Sequence, residues 1–325
     1  MRAPAGLAAG LVLAAFATTA CGGGATSKAG TASSSVASAA RSHATTTKHV
    51  DAKHIQSPQP SYPRLLDSAR SLRPSGFIPA VTWHGQTAVW IARGGSGVAL
   101  LSFNQQLLEL RLHSGTADPR GSGPRFGPEV AGAERKLLVA GFNGGFKLDV
   151  GAGGLFADRR VAVPLRDGLG SIVTYTDGYT DIGSWRHGVP AAGNQVASVR
   201  QNLTLLISGG HPASTLDCLA CWGATLGGVS DPARSALGIT ADGHLLWAGG
   251  EHLTTAQLAD AMRSAHVVRA VELDINPEWV AAYLYWHRGG KRGPPAPLPI
   301  VPGQQGIPGQ FLTPWSRDFF TVVAR

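Results

Sequence analysis

Residues 234–274, called here the deciding stretch because they contain the clearest secondary-structure signals, read RSALGITADGHLLWAGGEHLTTAQLADAMRSAHVVRAVELD. Two apolar runs flank Asp242-Gly243, a dipeptide that strongly favours a tight β-hairpin. Thr254 and Gln257 then have the spacing of a helical capping box, and apolar residues follow at helical spacing. A β-rich run over residues 267–273 closes the stretch. The pattern therefore predicts a hairpin, a capped helix that ends near residue 264 or 266, and a strand.

The rest of the chain after residue 60 consists of short apolar runs separated by glycines, which is typical of strands. The predicted strands are 88–92, 97–103, 107–112, 136–142, 171–175, 203–207, 279–286 and 319–323. No internal repeat is visible. We therefore expect one α+β domain over residues 61–325, with a mixed, largely antiparallel β core flanked by a few helices.

Composition excludes several classes of protein. The 325 residues include 43 Gly and 21 Pro, and 43% of the chain is apolar while 15% is charged. This chain is too apolar for a disordered protein and too rich in glycine for a helical bundle. The net charge is +8, but five of the 28 bases and one of the 20 acids precede residue 61, which leaves +4 for the domain. Because the bases do not cluster, no nucleic-acid partner is expected.

The N-terminus, MRAPAGLAAGLVLAAFATTAC, is typical of an export signal. Its apolar run is shorter than the roughly 20 residues that span a bilayer. The segment resembles a bacterial lipobox, so we predict a signal peptide over residues 1–20 and lipidation of Cys21. Residues 21–60 are rich in Gly, Ala, Ser and Thr and predict a flexible tether. The prediction is an exported lipoprotein anchored on the outer face of the cytoplasmic membrane. Alternatives are a secreted protein and an uncleaved anchor.

Cys218 and Cys221 form a C-L-A-C motif within a Gly- and Pro-flanked loop. In an oxidising compartment this spacing predicts a small disulfide that staples the loop. A redox site and a metal site are the alternatives, although two thiolates alone do not complete a structural zinc site.

Two carboxylates end the last strand of the deciding stretch. Glu272 and Asp274 are two residues apart, so they share a face about 7 Å apart along the strand. Such a pair can divide acid and base work at a glycosidic bond. A solvated strand end and a cation site are the alternatives. The Arg317-Asp318 pair near the C-terminus is interpreted as structural.

Three further motifs carry polar groups suited to a ligand. Asn143-Gly144-Gly145 follows a predicted strand, and its glycines allow backbone amides to approach a ligand, unless they only form a turn or bulge. His211 follows a similar glycine pair and is a candidate to act near neutral pH, or is merely solvated. Arg234 can bind a phosphate through its planar fork, or form an ordinary ion pair.

The order of these motifs resembles the phosphodiester glycosidase family. The matching pieces are N-G-G-F after a strand, R-S-A-L-G-I-T-A-D-G-H-L-L, the helix L-T-T-A-Q-L-A-D-A-M and a strand that ends in L-D. This is the family of the lysosomal enzyme that removes N-acetylglucosamine from a phosphodiester, and many bacterial envelope proteins share its domain. The resemblance covers about residues 85–323. It implies that Asn143, Arg234 and Asp274 are polar site positions framed by the backbone of Gly144 and Gly145.

One departure from the family pattern concerns the substrate. The family's last motif continues from the Asp into glycines, whereas this chain reads DINPEW over residues 274–279. Ile and Pro do not form the open, amide-lined turn that glycines allow. Asn276 and Glu278 supply side-chain polarity instead, and Trp279 offers a face for stacking a sugar.

The resemblance implies an extracytoplasmic glycosidase that hydrolyses a sugar-1-phosphodiester or a related cell-envelope glycan. In this hypothesis Arg234 binds the phosphate, Asp274 acts as nucleophile or base, Glu272 assists it and Asn143 holds a sugar hydroxyl. Asn276 and His211 are further substrate-binding candidates. No cofactor and no metal are predicted. The alternatives are a non-catalytic glycan-binding or scaffolding lipoprotein on the same fold, and a secreted hydrolase of other specificity.

Overall fold

The computed structural model describes residues 76–119, 126–223, 228–287 and 293–325. The predicted signal peptide, the lipidation of Cys21 and the tether of residues 21–60 lie outside the described residues.

The described chain forms eighteen strands and one α-helix. The strands are β1 (Ile78–Trp83), β2 (Gln86–Arg93), β3 (Ala99–Phe103), β4 (Leu108–His113), β5 (Leu138–Asn143), β6 (Leu155–Ala157), β7 (Arg160–Val163), β8 (Gly170–Tyr175), β9 (Thr180–Ser184), β10 (Val196–Gln201), β11 (Ile207–Ser208), β12 (His211–Pro212), β13 (Arg234–Thr240), β14 (Leu245–Gly250), β15 (Val267–Glu272), β16 (Ala282–His287), β17 (Pro295–Pro299) and β18 (Phe319–Ala324). The helix is α1 (Thr255–Ser264), between β14 and β15.

The strands form three sheets. The largest has eight strands in the order β1-β2-β3-β14-β13-β15-β11-β12. The other two have five strands each, in the orders β7-β6-β10-β8-β9 and β17-β16-β5-β18-β4. Every strand pair within these sheets is antiparallel.

This architecture corrects the predicted fold class. The α+β expectation, with a mixed core flanked by a few helices, is wrong because the fold is β-rich and α1 is the one α-helix among the described residues. The physical reason is visible in the sequence, where glycines interrupt most apolar runs before they reach helical length. No helix in the described ranges has the length and apolarity needed to cross a membrane.

The deciding stretch folds as its pattern predicts. β13 and β14 form a hairpin whose turn contains Gly243 at φ 80°. The capping box of α1 is confirmed: the amide of Gln257 donates to Thr254 Oγ1 at 3.2 Å, and the amide of Thr254 donates to Gln257 Oε1 at 2.9 Å. The strand predicted over residues 203–207 is wrong, because β10 ends at Gln201 and β11 holds only two residues.

Both faces of the eight-stranded sheet are buried, and they form separate cores. Leu237 and Val271 pack into the core shared with the other two sheets. Leu246 packs on the opposite face against Leu258 and Met262 of α1. Because neighbouring residues alternate between faces, this division decides which side chains near the end of β15 point towards α1.

The outermost strand of the third sheet, β17, contains proline at alternate positions. Pro295, Pro297 and Pro299 lie opposite residues of β16, and no described strand pairs with the other side of β17. Proline has no amide hydrogen, which is why it is found mainly on edge strands.

The ends of strands from all three sheets meet at one place. β15 and β13 come from the eight-stranded sheet, β10 comes from the second sheet, and β5 and β18 come from the third. Hydrogen bonds between residues at these ends, described below, hold the three sheets together at the candidate site.

Candidate functional site

Glu272 and Arg234 form a buried ion pair on the α1 side of the sheet. Nη1 of Arg234 donates to Glu272 Oε1 at 2.7 Å, and both side chains are fully buried. Arg234 also donates from Nε to the carbonyl of Leu253 at 2.8 Å and from Nη1 to the carbonyl of Trp222 at 3.2 Å. The pair therefore ties β13 and β15 to the segments before α1 and after the disulfide.

Burial makes the carboxyl group of Glu272 a weaker acid than usual. Desolvation raises its pKa to about 7, against the opposing effect of Arg234. Glu272 Oε2 and Arg234 Nη2 are buried without hydrogen-bond partners. Because the other nitrogens of Arg234 already have protein acceptors, its position argues against the phosphate contact expected from the sequence and favours the ion-pair alternative.

Asp274 lies just beyond the end of β15 with its side chain buried. Its Oδ1 accepts hydrogen bonds from its neighbours' amides, from Ile275 at 2.7 Å and from Asn276 at 2.9 Å. Its Oδ2 lies 3.6 Å from Nη2 of Arg317. Desolvation raises the pKa of Asp274 to about 6, although the hydrogen bonds from the two amides and the charge of Arg317 oppose this shift. One carboxylate oxygen is thus fixed by the backbone, while the other faces a cation.

Ser235 connects Asn143 to the backbone of Asp274. Asn143 Nδ2 donates to Ser235 Oγ at 2.9 Å, and the amide of Asp274 donates to the same oxygen at 3.3 Å. The backbone amide of Ser235 donates to the carbonyl of Asp274 at 3.0 Å. The structure therefore brings Asn143, Arg234 and Asp274 into one connected cluster.

Glycine is required at positions 144 and 145 because side chains of the protein pack closely against them, and not because their backbone is left-handed. A Cβ on Gly144 would lie 2.2 Å from Asp318 Oδ2, and one on Gly145 would lie 2.9 Å from the guanidinium of Arg200. Their amides donate to the carbonyl of Asp318 at 3.0 Å and to its Oδ2 at 3.4 Å. In the conformation described, these amides bind the protein rather than a ligand.

Arg200 and Asp318 form a second buried ion pair that supports the loop of residues 143–146. Arg200 Nε donates to Asp318 Oδ2 at 2.7 Å, and Nη2 donates to the carbonyl of Phe146 at 2.5 Å. Asn202 adds to this support, since its Nδ2 donates to the carbonyl of Leu273 at 2.9 Å and its Oδ1 accepts from the amide of Phe146 at 3.2 Å. These side chains fix the loop relative to the end of β15.

Arg317 lies between Asp274 and the half-buried ring of Trp279. Its guanidinium carbon is 4.1 Å from the centroid of the Trp279 ring, and its Nη2 donates to the carbonyl of Gly145 at 2.9 Å. The ammonium of Lys147 lies 5.2 Å from the centroid of the same ring. Trp279 is half-buried and Lys147 is exposed, so this corner of the site reaches the surface.

Asn276 shapes the turn that follows Asp274. Its Oδ1 accepts from the amide of Glu278 at 2.9 Å, and its carbonyl accepts from the amides of Trp279 and Val280, each at 2.9 Å. Asn276 is half-buried and Glu278 is exposed. The turn therefore has internal hydrogen bonds, and it carries Trp279 to the surface.

His211 is not part of this cluster. It lies in β12, and the preceding Gly210 donates its amide to the carbonyl of Val268 at 2.8 Å. Val268 is near the start of β15, whereas Asp274 follows its end. The exposed position of His211 agrees with the solvated alternative rather than with substrate binding.

Cys218 and Cys221 are joined by a disulfide. The next residue, Trp222, is fully buried, and its indole donates to the carbonyl of Thr215 at 2.8 Å. Because the carbonyl of Trp222 accepts from Arg234, the stapled loop packs directly behind the site. Across the described ranges, no group of three or more His, Cys, Asp or Glu side chains is placed to hold a metal ion.

The sequence did not reveal the roles of Ser235, Arg200, Asn202 and Arg317. The buried ion pair of Asp318 with Arg200 agrees with a structural role for Asp318. Its neighbour Arg317, in contrast, lies beside the candidate carboxylate of Asp274. A usable signal was the presence of isolated arginines at strand ends in a chain with few charges, since buried arginine requires a partner.

No protein-family model and no curated protein sequence matches this chain. Solved structures resemble it distantly. The catalytic domain of zebrafish N-acetylglucosamine-1-phosphodiester alpha-N-acetylglucosaminidase, auto-inhibited by its pro-peptide, is 14% identical with a TM-score of 0.45, over 77% of this chain and 87% of that chain.

Two further structures are more distant. A protein from Synechocystis is 12% identical with a TM-score of 0.42, over 76% of this chain and 64% of that chain. A Burkholderia pseudomallei protein designated as exported is 11% identical with a TM-score of 0.31, over 73% and 75% of the two chains. At these values each of the three is a distant structural likeness, from which no conclusion about function is drawn.

Proposed function

We propose that this protein is an extracytoplasmic glycosidase that hydrolyses a sugar-1-phosphodiester or a related cell-envelope glycan, with Asp274 as nucleophile or base. The observation that carries the proposal is the arrangement of the Asp274 carboxylate. Backbone amides fix Oδ1, Arg317 faces Oδ2, and Trp279 connects the site to the surface. With a pKa of about 6, Asp274 is ionised at neutral pH and can act on an anomeric carbon.

The chemistry suits a site with one available carboxylate. A phosphodiester leaves as a stable phosphate anion, so protonation of the leaving oxygen is less necessary than for an ordinary glycoside. As nucleophile, Asp274 forms a bond to the anomeric carbon while the bond from that carbon to the phosphate oxygen breaks, and water then hydrolyses the glycosyl ester and frees the carboxylate. As base, Asp274 removes a proton from a water whose oxygen attacks the anomeric carbon as the same bond to the phosphate oxygen breaks. Glu272 and Arg234 support the backbone behind this carboxylate, and Asn143 positions it through Ser235.

The test measures release of free sugar from a synthetic N-acetylglucosamine-1-phosphodiester by the full-length protein. Asp274→Asn is expected to lower the rate at least about 100-fold, because it removes the reacting oxygen. Asp260→Asn, an exposed aspartate on α1, is the matched control and should have no effect. Equal rates for wild type and Asp274→Asn would exclude this mechanism.

A second candidate function is glycan binding without turnover, as part of an envelope lipoprotein. The burial of Asp274, of which 3% is exposed, favours it, since attack by this carboxylate requires contact with the substrate. Two results together would select this function: no sugar released by wild type in that assay, and binding of envelope glycan, measured separately, that survives Asp274→Asn.

We also propose export and anchoring through a lipid on Cys21. The disulfide between Cys218 and Cys221 supports an oxidising compartment. Labelling with a radioactive fatty acid tests the anchor. Wild type should carry the label in the membrane fraction and Cys21→Ala should not, and a labelled variant would contradict lipidation at this residue.

A further inference from the structure

The arginines around the candidate site differ in how many of their donors have acceptors. Arg200 donates to both oxygens of Asp318 and to two backbone carbonyls. Arg234 donates to Glu272 and to two backbone carbonyls. Such donor use is typical of arginines that hold a fold together.

Arg317 uses far fewer of its donors. Its hydrogen bond to the carbonyl of Gly145 comes from Nη2, while Nε and Nη1 are buried without a hydrogen-bond partner. Two carboxylates are close but loosely placed, Asp118 at 3.4 Å from Nε and Asp274 at 3.6 Å from Nη2. Arg317 is 5% exposed, so these nitrogens also lack bulk water. Buried donors of this kind are usually completed by a water or a ligand.

A second cation accompanies Arg317. The ring of Trp279 contacts the guanidinium of Arg317 and, at a somewhat greater distance, the ammonium of Lys147. Cation–π contact of this kind fixes the orientation of a guanidinium plane. Lys147 is exposed and forms the outer end of the pair, while Arg317 forms the inner end next to Asp274.

The nearby backbone amides are already occupied. Those of Gly144 and Gly145 donate to Asp318, and those of Ile275 and Asn276 donate to Asp274. An anion at this site would therefore be recognised by side-chain cations and not by a backbone cradle.

We infer that Arg317 and Lys147, held against Trp279, form an oxyanion-binding subsite that selects sugars carrying a phosphate or carboxylate group. The planar fork of arginine matches both groups, and the lysine adds a mobile charge at the entrance. The inference rests on the proposed function for its sugar component, whereas anion binding by these two residues does not require hydrolysis.

The test measures binding by titration calorimetry with the full-length protein. The probes are glucose, glucose 1-phosphate and glucuronate, compared at low and high salt. We expect the two anionic sugars to bind more tightly than glucose and to lose affinity in salt. The stronger of the two identifies the oxyanion, phosphate or carboxylate.

Lys147→Ala should weaken binding of the anionic sugars about fivefold and leave glucose unchanged, since an exposed ion pair contributes little more than this. Lys147→Arg, which keeps the charge, should bind the anionic sugars about as tightly as wild type. Lys136→Ala is the matched control, because Lys136 is exposed before the opposite end of β5. Arg317→Lys should weaken binding of the anionic sugars about tenfold or more, because it keeps the charge but loses the planar donor fork of the guanidinium.

Two results would overturn the subsite: anionic sugars that bind no better than glucose, or a Lys147→Ala variant that binds them as tightly as wild type. Because Lys147 is exposed, its substitution tests the idea even where Arg317→Lys fails to fold. Anion binding without any sugar release would reject the proposed hydrolysis and leave the subsite intact. Sugar release that does not change on substitution of Lys147 or with the substrate's charge would reject the subsite and leave the proposed hydrolysis intact.

Discussion

Removing Arg234 should destabilise the fold strongly and in a pH-dependent way. The substitution Arg234→Met leaves the carboxyl of Glu272 fully buried without its counter-ion. Breaking a buried ion pair in this way costs about 3–5 kcal/mol. The carbonyls of Leu253 and Trp222 also lose their donor, at roughly 1 kcal/mol each. The expected loss is a large part of the roughly 5–15 kcal/mol that stabilises a typical domain.

The sign of the pH effect follows from the pKa of Glu272. Desolvation raises this pKa to about 7 in the folded state, from an ordinary value of 4.5. A carboxyl with a raised pKa contributes stability that is fully present below pH 4.5 and is lost as the pH rises through the folded pKa. Without Arg234 the folded pKa rises further. At pH 5 both proteins hold a neutral Glu272, so the deficit of Arg234→Met should fall there to the roughly 2 kcal/mol of the two carbonyls and be larger at pH 8.

Urea unfolding followed by tryptophan fluorescence, at pH 5 and pH 8, measures this difference. The double variant Arg234→Met with Glu272→Leu is the control, because it removes both charges and leaves only the two carbonyls without donors. It should recover about 3–5 kcal/mol relative to the single variant at pH 8. A double variant as unstable as Arg234→Met, or a deficit that does not grow between pH 5 and pH 8, would refute this account of the pair.

Three further outcomes are expected. Gly144→Ala should lower the free energy of unfolding in urea by about 1–3 kcal/mol, since its Cβ would lie 2.2 Å from a carboxylate oxygen. The control Gly95→Ala should be near neutral, because a Cβ there would have open space around it. Equal values for the two variants would contradict the close approach at Gly144. The hydrolysis rate should rise through about pH 6 as Asp274 ionises, and a rate that falls over this range would assign Asp274 the role of an acid. Reducing the disulfide, or replacing both Cys218 and Cys221 by Ser, should lower the free energy of unfolding by about 2 kcal/mol, and no change under reductant would show that the loop does not depend on it.

Local patterns predicted the central unit of the fold well. The Asp242-Gly243 turn and the box formed by Thr254 and Gln257 involve residues close in sequence, so their chemistry was legible without the structure. The described ranges contain none of the other expected α-helices, because short apolar runs there pair across sheets instead of coiling. That choice depends on partners far along the chain.

The candidate site shows the same limit. Alternation along β15 drew attention to Glu272 and Asp274, but their surroundings come from all three sheets. Arg317 is 43 residues beyond Asp274 in the sequence. Its proximity to that carboxylate, which makes it a candidate site residue, is therefore seen only in the structure. The acceptors of Arg234, Glu272 and Trp222, became apparent only in three dimensions, where they favour the ion-pair alternative over the phosphate contact.

The alternating prolines of β17 have a consequence for association between molecules. Amide hydrogens of a strand point alternately to its two sides, so prolines at 295, 297 and 299 remove the donors from one side of this strand. Because β17 pairs with β16 through its other side, the outer edge offers carbonyls but no matching donors. A strand from a second molecule cannot complete a ladder there. The end of this sheet is thereby protected against edge-to-edge aggregation, even though Trp286 and Leu298 are exposed close to it.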